Sequence, residues 1–304
     1  MLKYAVFWFV FRVLGRLPLP VLYAIAEIVA RASYTLARGA RENVWDNLRH
    51  AAPGTSKRHL RRCALNVFRN VAKYYADLAH LPRMDIDKFL RERLVYHGIE
   101  EHVRPNLERG RGVVMLSAHM GNVELAGQGL VPLGILAFAV TEPVKPDALS
   151  RMLNGIRASK GHEFQPVSVA SAKRIVRTLR SGGTVALMGD RDIHGPKMLL
   201  PYFGEETWMP TGPIEVALRT NAAIVPSFSM RRGRYGIEAI AEPPIEIERT
   251  DDFQADVRTA MLEYIRRLEG RLRAEPEQWM VLERIWDVEK AAPVSAAEPE
   301  KVVA

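Results

Sequence analysis

Two residues that can move protons stand five positions apart in this chain. His119 follows the apolar run 112–117, which predicts a buried strand, and Glu124 lies in the stretch that predicts the next helix. Side chains at such a junction lie at the edge of a sheet, where α/β proteins usually bind ligands. A neutral imidazole can take a proton from a hydroxyl there while a carboxylate fixes its tautomer. The pair alone is compatible with a His–Glu general base, but a lone histidine near a strand end is more often a hydrogen-bonded structural residue.

A second polar group follows the predicted strand 184–189. Arg191 stands between Asp190 and Asp192, and its guanidinium could bind a phosphate or carboxylate while the two acids fix it. The alternative is a turn with a solvated ion pair. Arg157, near the end of the predicted helix 147–160, could bind the same kind of group or could complement the helix C-terminus.

Several other chemistries are not supported by the sequence. It contains no H-E-x-x-H, no G-x-S-x-G, no P-loop and no G-x-G-x-x-G. One acid beside His119, with no nearby cysteine or second histidine, is a poor metal-ligand set, so we expect no metal. The single cysteine, Cys63, excludes an internal disulfide framework.

Charge and hydropathy set the first part of the chain apart. The 304 residues carry a net charge of +8, and residues 1–80 hold 13 basic against four acidic residues. Residues 4–11 and 21–30 are apolar and aromatic, with Arg12 and Arg16 between them. Each stretch is shorter than the ~18–20 apolar residues of a spanning helix. They predict two helices in the membrane interface, with two core helices as the alternative. No nucleic-acid-binding module is recognisable, so nucleic acid is not an expected partner.

Periodicity predicts an α/β fold with a central, mostly parallel sheet, helices on both faces and an N-terminal membrane-associated helical region. Ser56 is a predicted N-cap of a long helix. We divide the chain into membrane-interface helices (1–36), a helical pre-domain region (37–96), an α/β domain (97–290) and a disordered tail (291–304). The predicted strands are 112–117, 135–140, 184–189, 223–229 and 235–241. The predicted helices of the α/β domain are 99–108, 122–131, 147–160, 171–181, 212–221 and 253–273.

The order of several short motifs resembles one family over roughly residues 5–286. The motifs are His119-x-x-x-x-Glu124, Gly189-Asp190-Arg191-Asp192, Tyr202-Phe203-Gly204, Thr211-Gly212-Pro213 and Pro276-Glu277-Gln278-Trp279. Together they resemble the bacterial lipid A biosynthesis acyltransferases and the related phosphatidylinositol mannoside acyltransferases. Many lipid A enzymes have Gln in place of Arg191, and the Asp-Arg-Asp form is more similar to the mannoside branch. Glycerol-phosphate acyltransferases usually have Asp in place of Glu124.

The resemblance implies an O-acyltransferase that moves a fatty acyl chain from a thioester to a hydroxyl of a glycolipid. His119 matches the catalytic histidine and Glu124 its partner acid. Arg157, Asp190, Arg191 and Asp192 are expected to bind substrate, as is Asn122, whose backbone N–H, with that of Gly121, is a candidate oxyanion donor.

No cofactor is expected beyond the co-substrate, which is acyl-coenzyme A or an acyl carrier protein thioester. The expected partners are membrane lipids and a lipid A-like or phosphatidylinositol mannoside-like acceptor; no oligomeric state is predicted. The expected location is the cytoplasmic face of the bacterial inner membrane, as a peripheral or monotopic protein. The alternatives are a non-catalytic lipid- or glycolipid-binding protein of the same fold and a glycerophospholipid acyltransferase.

Overall fold

The computed structural model describes residues 2–191 and 195–287, with side chains from residue 5 onward. Asp192 and the predicted tail, 291–304, lie outside the described residues. The helices are α1 (Leu2–Arg12), α2 (Leu19–Leu36), α3 (Arg38–Ala51), α4 (Lys57–His80), α5 (Ile86–Arg93), α6 (Arg104–Glu108), α7 (Val123–Gln128), α8 (Asp147–Arg157), α9 (Val169–Arg180), α10 (Gly212–Thr220) and α11 (Phe253–Ala274). The strands are β1 (Leu94–His97), β2 (Val113–Ser117), β3 (Ala137–Thr141), β4 (Glu163–Pro166), β5 (Thr184–Met188), β6 (Lys197–Tyr202), β7 (Glu205–Pro210), β8 (Ala223–Arg232) and β9 (Gly236–Ala241).

Seven strands form the central sheet in the order β1-β9-β8-β2-β5-β3-β4. Neighbouring strands pair in parallel except β8 and β9, which are antiparallel. This arrangement confirms the predicted α/β class with a mostly parallel sheet. The carboxyl ends of β2, β5 and β8 lie at one edge of the sheet, because β5 and β8 flank β2 on opposite sides and both pair with it in parallel.

The predicted strands all occur, but four further strands were not recognised. The edge strands β1 and β4 have four residues each, too few for a clear alternation. The Pro- and Gly-rich segment interpreted as a loop forms the antiparallel pair β6 and β7. Ser56 caps α4 as predicted, its Oγ accepting a hydrogen bond from the backbone N–H of His59.

The N-terminal region differs from the prediction of two short helices. The second apolar stretch belongs to α2, an unbroken helix of 18 residues that is long and apolar enough to cross a membrane by length and composition. One face of α2 is buried, largely against α4, through Leu22, Tyr23, Ala26 and Ala30. The other face exposes Val21, Ile28, Val29 and Leu36. α2 therefore has a core face, as the alternative interpretation expected, and an exposed apolar face, for which the membrane interface stays a prediction.

The turn between β2 and α7 carries the His119 motif. Asn122 caps α7, its Oδ1 accepting a hydrogen bond from Leu125 N at 3.0 Å. Gly121 has φ +65°, and a Cβ at this position would lie 2.2 Å from the carbonyl oxygen of Ser229 on β8. The turn therefore packs directly against the neighbouring strand, and only glycine fits at residue 121.

We expect Gly121→Ala to destabilise the fold by at least about 1–2 kcal/mol, from the left-handed backbone conformation alone. The clash with the Ser229 carbonyl adds to this cost. Gly270→Ala on α11 is the matched control, because it meets no atom within 4 Å and should leave stability equal or higher. Urea unfolding of both variants measures the difference, and equal stabilities would contradict the packing described for the turn.

Candidate active site

His119 is held by Asp190, which follows β5. The Nδ1 atom of His119 lies 2.8 Å from Asp190 Oδ1, and the backbone N–H of His119 donates to Asp190 Oδ2 at 2.9 Å. The indole Nε1–H of Trp279 donates to the same Oδ2 at 2.9 Å. Both carboxylate oxygens are therefore engaged, and the carboxylate is fixed relative to the imidazole.

Burial separates the two partners of this pair. The Asp190 side chain is fully buried, whereas 28% of the His119 side chain is exposed. Burial alone would raise the pKa of Asp190, but the charge that His119 can carry and the hydrogen bonds from His119 and Trp279 hold that pKa below its ordinary value. Asp190 is therefore ionised at neutral pH and accepts a hydrogen bond from the Nδ1–H group of His119. The other ring nitrogen, Nε2, is then the one that can accept a proton.

Glu124 does not contact His119 in the way that the sequence suggested. Its Oε2 pairs with Arg157 Nε at 3.0 Å and accepts a hydrogen bond from Tyr74 OH at 3.4 Å. Its Oε1 accepts one from Gln128 Nε2 at 3.1 Å. The physical reason is the turn before α7, which sends the helix in a new direction, so that Glu124 points toward α4 and α8. The acid that orients the imidazole is Asp190, which the sequence interpretation had assigned to substrate.

Arg157 and Tyr74 complete a buried polar cluster with Glu124. Burial would lower the pKa of Arg157, but Tyr74 and Glu124 more than offset it and raise that pKa. Burial raises the pKa of Tyr74 to about 12, so its hydroxyl stays protonated and can donate. Arg157 Nη2 in turn donates to Tyr74 OH at 3.2 Å. The guanidinium of Arg157 therefore lies at the cavity wall, and the carboxylate of Glu124 balances its charge.

Removing the Glu124 charge should destabilise the fold, because Arg157 would remain largely buried without its carboxylate. We expect Glu124→Gln to cost about 1–3 kcal/mol of unfolding free energy. The exposed Glu206→Gln on β7 is the matched control and should change stability by less than about 0.5 kcal/mol. Chemical unfolding measures both. Stability of Glu124→Gln equal to that of the control would show that the Glu124–Arg157 pair contributes nothing.

The structure does not support substrate contact by Asn122. Asn122 is fully buried, and its Nδ2 donates to Asp77 Oδ2 at 2.7 Å. Its backbone N–H donates to Ser229 Oγ at 3.2 Å, and that of Gly121 donates to the Gln278 carbonyl at 2.9 Å. These two N–H groups are already used inside the protein, so the prediction that they form the oxyanion hole was wrong. Asn122 supports the motif instead of touching a ligand.

Arg191 lies at the cavity wall with His119, Glu142 and Glu283. Its Nη1 lies 3.1 Å from Glu283 Oε2, and its Nη2 lies 3.3 Å from Glu142 Oε2. Both of these glutamates are exposed, so their side chains can move aside for a ligand anion. The sequence predicted that the flanking acids hold Arg191 in place. Asp190 does not do so, because its hydrogen bonds are with His119 and Trp279.

A cavity of about 960 Å³ opens beside His119. One wall is α7, and small side chains of the sheet form the opposite wall. Paired strand positions contribute two rows, in which alanine and serine side chains stand beside two methionines: Ala139, Ala186 and Met115 in one row, and Met188, Ser117, Ser227 and Ala241 in the next. Small residues leave room between helix and sheet for a long, narrow apolar ligand.

Two contributors to the site had no recognised role in the sequence. Tyr74 comes from the middle of α4, where its spacing is that of an ordinary core position. In the sequence, Trp279 served only as part of a motif that resembles the acyltransferase family. Its hydrogen bond to Asp190 forms because the segment after α11 comes back to the turn that carries His119. That return is visible as a bridge between Met120 and Trp279 and a 2.7 Å hydrogen bond from Met280 N to His119 O.

Comparison with known proteins identifies the family of this chain. The family described as "Bacterial lipid A biosynthesis acyltransferase" matches residues 1–287, and the chain belongs to it. It is therefore an acyltransferase enzyme.

Two relatives and one solved structure show how far the similarity extends. The chain is 29% identical over 218 residues to a phosphatidylinositol mannoside acyltransferase of Mycobacterium tuberculosis, covering 70% of this chain and 67% of that protein. It is 28% identical over 264 residues to the phosphatidylinositol mannoside acyltransferase of Mycolicibacterium smegmatis, covering 84% and 83%. The crystal structure of the 1-acyl-sn-glycerophosphate acyltransferase PlsC from Thermotoga maritima aligns with 84% of this chain and 97% of that chain, at a TM-score of 0.38 and 12% identity.

Proposed function

We propose that this enzyme transfers a fatty acyl chain from a thioester donor to a sugar hydroxyl of a mannoside-type membrane glycolipid. The observation that carries the proposal is the geometry of His119, whose Nδ1 is fixed by buried Asp190 while the ring borders a large apolar cavity. The named relatives and the Asp-Arg-Asp order favour a phosphatidylinositol mannoside-like acceptor over a lipid A precursor.

The proposed reaction needs a base and an acid, and His119 supplies both. Nε2 takes the proton of the acceptor hydroxyl as its oxygen attacks the thioester carbonyl carbon. Asp190 stabilises the imidazolium that forms. The tetrahedral intermediate then collapses, the carbon–sulfur bond breaks, and the Nε2 proton goes to the departing thiolate. The products are one ester and one free thiol, and the enzyme returns to its starting protonation state.

The cavity and its basic residues suit the two lipid substrates. The apolar space between α7 and the sheet would hold the acyl chain of the donor with its thioester beside His119. Arg157 and Arg191 line the same cavity and would bind anionic groups of donor or acceptor. Arg191 would exchange its two exposed glutamates for such a group, and Lys at this position would lose the planar fork.

The donor is proposed to be an acyl-coenzyme A or acyl carrier protein thioester, both of which are made in the cytoplasm. The enzyme would accordingly work at the cytoplasmic face of the inner membrane. Its acceptor has long apolar chains and a negligible aqueous concentration, so catalysis requires attachment to the membrane. The exposed apolar faces of α1 and α2, with Trp8 and Phe9 half-exposed on α1, would provide it.

Membrane attachment should depend on the exposed face of α2. We expect Ile28→Gln with Val29→Gln to reduce sedimentation with lipid vesicles at least tenfold, since burying each side chain in the interface contributes about 1.5–3 kcal/mol. Val95→Gln with Leu136→Gln, both exposed elsewhere, is the matched control. Deleting residues 1–36 is a poorer test, because it would also uncover the apolar surface of α4. Equal loss in both double variants would contradict the assignment.

The proposed activity is tested by offering purified enzyme one acyl thioester and a panel of acceptors. The panel holds a phosphatidylinositol mannoside, a lipid A precursor and a lysophosphatidic acid, with product masses read by mass spectrometry. We expect the mass of one acyl chain to be added to the mannoside, with release of one thiol. Acylation of the lysophosphatidic acid alone would identify a glycerophospholipid acyltransferase. Binding without acylation of any acceptor would identify a lipid-binding protein.

A further inference from the structure

Cationic side chains gather around two stacked tyrosines on the side of the sheet formed by β8 and β9. The rings of Tyr23, on α2, and Tyr235, in the turn between the two strands, have centroids 5.4 Å apart. The guanidinium carbons of Arg93 and Arg234 lie 5.3 and 5.2 Å from the centroid of Tyr235. The Nζ of Lys73 lies 5.4 Å from the centroid of Tyr23. We call Lys73, Arg93 and Arg234 with the two tyrosines the cation–tyrosine cluster.

Ion pairing of this cluster is limited in the part of the chain that the structure describes. Within residues 2–191 and 195–287, none of its three cations forms an ion pair. Asp77 lies beneath the cluster, but it is buried and is already paired with Arg231 at 2.6 Å. Burial and the charge of Arg231 lower the pKa of Lys73, whereas the carboxylates of Glu27 and Asp77 act to raise it. The exposed guanidinium groups of Arg93 and Arg234 are therefore the cations of the cluster that are open to a ligand anion.

The cluster adjoins the apolar N-terminal helices. Tyr23 lies on the buried face of α2, whose opposite face exposes Val21 two residues away. Leu14 and Leu17, from the corner between α1 and α2, pack in the same apolar group as Tyr23 and Tyr235. Arg93 and Arg234 are exposed, so a ligand can reach their guanidinium groups. The cluster therefore lies near the corner that joins α1 and α2, the two helices that we assign to the membrane.

We propose that the cation–tyrosine cluster binds the phosphate of an anionic membrane phospholipid, at a site separate from the cavity beside His119. The guanidinium groups of Arg93 and Arg234 both contact the Tyr235 ring, and each offers forked donors to phosphate oxygens. A lipid is favoured over a nucleic acid or an acidic protein because the site adjoins exposed apolar helices that a bilayer would cover. The lipid would orient the enzyme on the membrane. This inference rests on the membrane location proposed above, but not on acyl transfer.

The test is sedimentation of the full-length protein with neutral phosphatidylcholine vesicles and with vesicles that also contain phosphatidylglycerol. We expect wild type to bind both, and to bind the anionic vesicles more tightly. Arg93→Gln with Arg234→Gln should reduce binding to the anionic vesicles about ten- to thirtyfold, while binding to neutral vesicles stays unchanged. Arg109→Gln with Arg177→Gln removes the same charge from exposed positions on other surfaces and should have a much smaller effect.

The sedimentation results distinguish the proposed membrane location from the proposed phosphate site. Failure of wild type to bind either vesicle would reject the membrane location itself. Equal binding of wild type to both vesicles, or equal losses in the two double variants, would overturn the phosphate site and leave only bulk charge. Arg93→Lys with Arg234→Lys keeps the charge but loses the forked donors, so it should lose part of the preference for anionic vesicles. Full wild-type preference in this lysine pair would also overturn the phosphate site, because charge alone would then explain the binding. The sedimentation experiment contains no acyl donor and no acyl acceptor. Its outcome is therefore independent of whether the enzyme transfers acyl chains, which is measured in a separate assay.

Discussion

Replacement of His119 by alanine should lower turnover by about 10²–10⁴-fold, the range that general base catalysis supplies. The substitution removes the only part of the His119–Asp190 pair that borders the cavity. Asp190 cannot take over as the base because it is fully buried. The KM for either substrate should change much less than kcat, because the imidazole acts on the attacking hydroxyl and not on the bulk of the lipid.

His59→Ala is the matched control for this variant. His59 is exposed on α4, away from the cavity lining, and its loss should leave kcat and stability unchanged. Steady-state kinetics on detergent-solubilised protein, with far-ultraviolet circular dichroism to verify folding, measures both variants. A folded His119→Ala enzyme with near-normal kcat would reject His119 as the base.

Asp190→Asn should lower kcat by roughly 10³–10⁴-fold, the scale seen when the acid behind a catalytic histidine becomes an amide. The asparagine keeps the shape, but its amide can present an N–H to Nδ1. The ring would then carry its proton on Nε2, where the hydroxyl proton must be accepted. The loss of charge also removes the stabilisation of the imidazolium. Nitrogen NMR of labelled histidine would show the change of tautomer directly.

Glu124→Gln gives the contrast that separates the two acids. Because Glu124 pairs with Arg157, its amide variant should mainly lower stability and raise KM, and should reduce kcat less than Asp190→Asn does. A larger loss of kcat in Glu124→Gln, with the histidine tautomer unchanged in Asp190→Asn, would mean that Glu124 serves the histidine after all. The structure would then represent a state that rearranges before catalysis.

The sequence predicted where the site lies but not how its side chains pair. The strand before His119 and the helix after it could be predicted because their periodicities differ and a Gly-Asn pair separates them. The partner of the histidine could not, because Asp190 is 71 positions away and reaches it only through the pairing of β2 with β5. Closeness in sequence favoured Glu124, but the turn capped by Asn122 points that side chain elsewhere.

The length of helix α2 was also predicted wrongly from the sequence. The second apolar stretch, 21–30, is shorter than a spanning helix, and on that basis the sequence predicted a short helix. In the structure Glu27 pairs with Arg31 at 2.6 Å and with Arg69 of α4 at 2.7 Å. Charges that are paired along one face do not end a helix, so α2 continues to Leu36. The pair with Arg69 depends on the packing of α2 against α4, which a pattern of single residues does not contain.

A single-turnover experiment tests the central claim most directly. Enzyme in excess is mixed with an acyl thioester and a phosphatidylinositol mannoside. The amounts of free thiol and of acylated glycolipid are then measured at successive times. We expect wild type to form the two products in equal amounts and at the same rate, and His119→Ala to form neither above the uncatalysed rate. Ester formed by His119→Ala at the wild-type rate would contradict the role of His119. Thiol released by wild type without any ester would contradict acyl transfer to this glycolipid.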